Sequence, residues 1–241
     1  MHLVRHFGRI VLCAAITGPV GLWSSTTAST GTNITTQDTS NNDYASGNGA
    51  SAGPYPGYSD SSCSAIGIGA TAEGEYNTAV GAQAKAVGTG GWPGYETALG
   101  YNADAAQYDS TALGALSYAN INAVSVGESA TAAVAGVAVG YDASAASNST
   151  ALGWGANASG MQSVAIGQSS QAGADAIAVG AGATANYQEA LAVGVASKAE
   201  GDYSAVYGYE ATAVDFGTSV GSSSSAADGA SALGACRSRV A

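Results

Sequence analysis

Along most of the chain the larger apolar residues come singly, at a nearly fixed interval. Each sits immediately before a glycine: Ile66, Val80, Leu99, Leu113, Val126, Val139, Leu152, Ile166, Val179, Val193, Tyr207, Val220 and Leu233. The residue preceding it is Ala or Ser, with Val206 the exception. The one before that is often β-branched or apolar, as at Thr78, Val124, Val137, Thr150, Val164, Ile177 and Leu191. Large–small–large is an alternation of period two and predicts a short strand with two different faces. Three and five residues after the glycine, small residues recur, as in Ala84 and Ala86, Ala130 and Ala132, and Ala183 and Ala185. They predict a second strand. The glycines of the series run Gly67, Gly81, Gly100, Gly114, Gly127, Gly140, Gly153, Gly167, Gly180, Gly194, Gly208, Gly221 and Gly234, in steps of 13 or 14 with one step of 19. That period is too short for helical repeats or propeller blades, which take roughly 33–50 residues per unit. It suits one turn of an all-β solenoid built from two strands and two bends.

The two faces must bury against different things. Small residues fill only a thin space, so they belong inside a flattened coil, and the larger row then faces out of it. Stacked coils lie roughly 4.8 Å apart, so thirteen of them carry an apolar stripe of roughly 60 Å. A soluble monomer does not leave such a stripe in water, which predicts an oligomer whose stripes meet along a common axis. The glycine closes the strand where the backbone needs a conformation other residues resist. The alternation of 13 and 14 residues belongs in the bends, where one residue is easily added.

The motif "QSVAIGQSSQAGADA", from Gln162 to Ala176, with looser copies "NAVSVGESATA" from Asn122 and "NSTALGWGANA" from Asn148, resembles the head-domain repeats of YadA-like trimeric autotransporter adhesins. The resemblance covers about Ser61 to Ala241. It implies a left-handed parallel β-roll, three chains to a head, displayed at a bacterial cell surface for attachment to host matrix or to other cells. On that reading Ile66, Val80, Leu99, Leu113, Val126, Val139, Leu152, Ile166, Val179, Val193, Val220 and Leu233 form the trimer core. No heptad run and no closing set of alternating strands is legible after the last repeat, so the chain reads as a head without the family's stalk or membrane anchor.

Composition refines this picture. Leu, Ile, Val and Phe together number 37 of 241 residues and the net charge is -11, a combination that by itself indicates disorder. The strict register of the apolar positions overrides it. The acidic balance leaves no basic patch for nucleic acid. Residues 1–28 read as a secretory signal: Arg5 and Arg9, an apolar run, then Thr26 and Ala28 at the places preceding a cleavage site. An uncleaved anchor and a wrongly assigned start are the alternatives. No other segment has the length of a membrane span. Residues 29–60 are rich in turn formers without an apolar period, which predicts a flexible linker ahead of head repeats over 61–241.

Catalytic chemistry is sparse. The two histidines are His2 and His6, so a mature chain would have no histidine for a nucleophile–histidine mechanism. Carboxylates such as Glu128, Asp142, Asp175, Glu189, Glu210 and Asp215 stand singly in predicted bends. The chain therefore reads as non-enzymatic, with no cofactor or metal. Cys63 and Cys236 lie roughly 55 Å apart along the rod by the strand spacing, too far to pair within one chain. The step of 19 holds "GTGGWPGYE", and Trp92 and Tyr95 within it form a possible ligand-contact loop. A secreted ice- or polysaccharide-binding solenoid is the alternative function, since the threonines Thr78, Thr97, Thr111, Thr150 and Thr218 share the outward row.

Overall fold

A computed structural model describes residues 35–38, 43–53, 62–88 and 94–234. The signal reading for 1–28, Trp92 and Cys236 fall outside the described residues. Two parallel sheets are stacked into one solenoid. The first contains the tetrad strands, each ending just before a series glycine, from Asp43–Ser46 and Ser64–Ile66 to Ser231–Leu233. The second contains the shorter return strands, from Ser51–Gly53 to Ser225–Ala226. Successive tetrad strands pair in register, Ala138 with Ala151 and Val139 with Leu152, so every column of the sequence repeat is a column in space. No helix occurs among the described residues.

The interior is thin. The buried apolar side chains are alanines throughout, apart from Cys63 and Val206. The middle residue of each tetrad strand and the alanines three and five places past the glycine point inward, as Ala138, Ala143 and Ala145 do in one coil. A methyl group contributes little on burial, about 0.8 kcal/mol per carbon, so cohesion comes mainly from ladder hydrogen bonds that run through the bends as well. The Gly140 amide donates to the Val126 carbonyl (2.8 Å) and the Asp142 amide to the Glu128 carbonyl (2.9 Å), each one coil back. Buried serines close the same bends: the hydroxyls of Ser117, Ser170, Ser197 and Ser224 donate to the carbonyls of Gly114, Gly167, Gly194 and Gly221 at 2.8–2.9 Å.

The glycine requirement is steric as well as torsional. From Gly67 to Gly221 the series glycines have φ between +126° and +149°, a region that L side chains rarely enter. They also stack: a Cβ on Gly140 would lie 2.6 Å from the Gly153 carbonyl carbon. Two residues further on, each bend enters the left-handed region, at Gln83, Asn102, Leu116, Ser129 and Asp142 with φ of 52–60°.

One expectation is corrected. The stretch read as linker contains a further coil, because Asp43–Ser46 and Ser51–Gly53 pair with Ser64–Ile66 and Thr71–Glu73. "DYASGNGASAG" has the inward Ala45 and a glycine, Gly47, with φ +133° stacked on Gly67. Its outward places hold Tyr44 and Ser46 where later coils hold aliphatic residues, so the apolar period is lost while the interior pattern survives. Strand Thr35–Asp38 then lies antiparallel on Asp43–Ser46 at this end of the sheet.

The variation in coil length is confined to one bend. From series glycine to the last inward alanine of the return strand is always five residues, as from Gly127 to Ala132 and from Gly153 to Ala158. The other bend takes four residues between Ala132 and Val137, five between Ala158 and Val164, and ten between Ala86 and Thr97.

Two substitutions test these packing statements. Gly140→Ala should cost more than the ~1–3 kcal/mol of backbone strain alone, since the new methyl meets the Gly153 carbonyl; urea denaturation measures it. Ser125 carries a buried hydroxyl with no hydrogen-bond partner, so Ser125→Ala should raise stability by ~1–2 kcal/mol in the same assay.

Candidate interaction surface

The outer face of the tetrad sheet is the largest distinctive surface of the chain. Because the middle residue of each tetrad strand turns inward, the residues on either side turn outward and form two parallel columns. One column holds Ile66, Val80, Leu99, Leu113, Val126, Val139, Leu152, Ile166, Val179, Val193, Val220 and Leu233, with Tyr207 in the same line. All twelve residues singled out from sequence are therefore brought together. Each is half-buried by its neighbours along the column or exposed: Ile66 is 42% exposed, Leu99 47% and Leu152 43%. The second column has Thr78, Thr97 and Thr111 in successive coils, then Val124 and Val137, and further on Val164, Ile177 and Leu191. The central coils are thus aliphatic in both columns except at Thr150, between Val137 and Val164, and the coils at Thr78, Thr97 and Thr111 present threonine beside aliphatic.

Aromatic side chains flank this face at the two bends. Tyr141 and Trp154 follow series glycines one coil apart and stack with ring centroids 6.2 Å apart. At the opposite bend Tyr76 stacks on Tyr95 at 5.5 Å and Tyr203 on Phe216 at 5.4 Å. Tyr95, one half of the loop pair expected from sequence, is exposed and its ring lies against Tyr76. Tyr141 and Trp154 are legible in sequence as bend residues just after series glycines; the stacking of Tyr203 on Phe216 was missed there, although the two stand one period of 13 residues apart.

Among the described residues, four side chains titrate away from their ordinary range. Among the described residues no group of three metal-ligating side chains is found. Burial pushes the Cys63 thiol up, and its Sγ donates to the Gly74 carbonyl at 3.3 Å. Asp104 is raised by burial despite the attraction of Lys85, its register partner on the adjacent return strand. Tyr209 is raised by its hydrogen bond to Glu210. Glu96 is raised by burial. Cys63 and Glu96 lie in one inward column, on either side of Asn77.

A family model described as YadA head domain repeat (2 copies) matches residues 64–84, 97–117, 146–170 and 188–213. The chain carries a YadA-like head domain. The matched segments begin within tetrad strands or in the bend just before them, so the family's repeat and the structural coil are in phase. No curated protein matches the chain. The YadA head is a non-enzymatic adhesin domain, in keeping with a surface organised as a repetitive face rather than a cleft. Among the described residues of this YadA-like head no helix is long and apolar enough to cross a membrane.

The Asp104–Lys85 pair gives a measurable consequence. Lys85→Met removes the attraction that opposes burial, so the Asp104 carboxyl should titrate at still higher pH, which carboxyl-carbon NMR resolves. A folded-state pKa raised above the unfolded value means that stability falls as pH climbs between the two, and Lys85→Met should widen that window upward.

Proposed function

We propose that three copies of this head assemble through the outward tetrad face and act as a non-enzymatic adhesin head at a bacterial surface, attaching to host matrix or to other cells. The observation that carries the reading is the outward apolar column from Ile66 to Leu233, continuous over the coils and uncovered by any other element among the described residues. Burying the half of each of its dozen side chains that is still exposed is worth half of the ~1.5–3 kcal/mol of full burial, a gross term of the same order as the ~4–15 kcal/mol cost of association. The roll is then left-handed, as in the family, and the twelve column residues line the trimer axis. The linker reading does not extend to strand Thr35–Asp38 or to the coil at 43–53. Residues 1–28 direct secretion. The stacked aromatics at the bends, Tyr95 among them, remain on the outside of the trimer, free for a ligand.

The threonines Thr78, Thr97 and Thr111, outward in three successive coils, support a second reading as an ice- or polysaccharide-binding solenoid. That use requires the column to be open, and the two readings therefore differ in oligomeric state.

Sedimentation of the chain from residue 29 should give a trimer at micromolar concentration. Ile166→Asp would set three unpaired, desolvated charges against one another and should yield a dissociated or unfolded species. Ala172→Ser, inside one roll where serines such as Ser170 are already accommodated, should leave assembly unchanged. An Ile166→Asp chain that sediments and melts like the parent would move the interface elsewhere. A folded monomer at every concentration would favour the open-column reading.

A further inference from the structure

Glu96 is out of keeping with the rest of the roll. It occupies the inward position just before tetrad strand Thr97–Leu99, equivalent to Asn77 one coil earlier and Ser110 one coil later. It is fully buried, and neither carboxyl oxygen has a hydrogen-bond partner. Asn77 cannot supply one. Its amide nitrogen donates to the Glu73 and Ala86 carbonyls at 2.8 and 3.2 Å, and its oxygen accepts the Glu96 backbone amide at 2.9 Å. The Ser110 hydroxyl, on the other side, is itself buried and unpartnered. Gly88 and Gly94 close against the carboxyl, so that a Cβ on Gly94 would collide with it. A carboxylate anion in such a place has no counter-charge, and the weak help of its own backbone amide and the Asn77 side chain is outweighed by burial; a buried charge held so poorly is neutralised or expelled. Repulsion from Asp109 adds to burial in favouring the neutral acid. The sequence between Gly88 and Gly94, Thr89 to Pro93, contains no ionisable residue. Immediately beside Glu96, Tyr95 lies exposed and stacked on Tyr76.

We propose that Glu96 is a proton-operated latch: as the neutral acid it is seated inside the roll and holds Tyr95 against Tyr76, and on losing its proton to solvent it leaves the interior and releases this corner. The closed corner is thus the acid form and the open corner the alkaline form. In the same column Asp43 is a buried carboxylate too, but it accepts the Cys63 backbone amide at 2.9 Å, and the coils from Ser110 onward carry no carboxyl at this position and stay closed in both.

Hydrogen exchange of the full chain from about pH 4 to 9, corrected for intrinsic rates, tests the latch. As pH climbs from the ordinary carboxylate range to the Glu96 midpoint, protection of Tyr95–Leu99 should fall by up to about tenfold per pH unit and level off above it, as release of one proton requires, while Leu191–Val193 stays protected. Glu96→Gln, neutral at all pH, should keep the corner protected throughout. Asp109→Asn should lower the midpoint without abolishing the transition. In the parent chain, carboxyl-carbon NMR should place the Glu96 titration at that same midpoint, a readout that holds even if the glutamine variant fails to fold. The proposal is overturned by an unchanged pH response in Glu96→Gln, by a parent corner protected at all pH, by an equal loss at Leu191–Val193, or by Glu96 titrating in the ordinary carboxylate range with the corner intact.

Discussion

Everything in this structure follows from how closely its two sheets approach. The gap between tetrad and return strands admits a methyl group and little else, which fixes alanine or serine inside each strand and glycine where the backbone turns. The stacked glycines Gly140 and Gly153 show the limit: no side chain fits between one carbonyl and the next α-carbon. A core this thin cannot take the large apolar residues that ordinarily drive folding. They are displaced to the outside, where they line up because the coils are in register. The interaction surface is therefore a by-product of the interior, and the stability of the roll and its tendency to associate have a common geometric cause.

The same constraint explains why polar groups are tolerated inside. Serine is barely larger than alanine, and its hydroxyl can reach the glycine carbonyl of its own bend, as Ser117 and Ser224 do. Ser219 and Ser224 bond each other at 2.6 Å. Larger polar residues enter only toward the N-terminal end, where Asn77 spans from Glu73 to Ala86 and Cys63 reaches Gly74. These coils sit beside the longer bends and depart furthest from the repeat.

Much of this was legible in the sequence because inward positions are under the tightest constraint and repeat most faithfully. The glycine series, the alternating strand and the outward column all followed from it. The coil at Asp43–Gly53 was hidden because the search was anchored on outward aliphatics, and Tyr44 and Ser46 break that anchor while Ala45 and Gly47 keep the interior rule. The difference between the two bends was present in the constant glycine-to-alanine spacing but invisible in glycine-to-glycine steps, which sum both. The Glu96 environment was not legible: the insertion before it shifts the local register, so a residue that faces inward reads as one more charge in a loop.

Confining length variation to a single bend has an architectural consequence. A residue gained or lost there changes neither the phase of the following strand nor which face its side chains take, so coils of 13, 14 and 19 residues hand on the same orientation. Duplication or loss of a whole coil would then move everything beyond it by one strand spacing along the rod and disturb nothing else. Reach becomes a quantity that can be set in discrete increments, like marks on a ruler, while the lateral surface is copied unchanged at each increment.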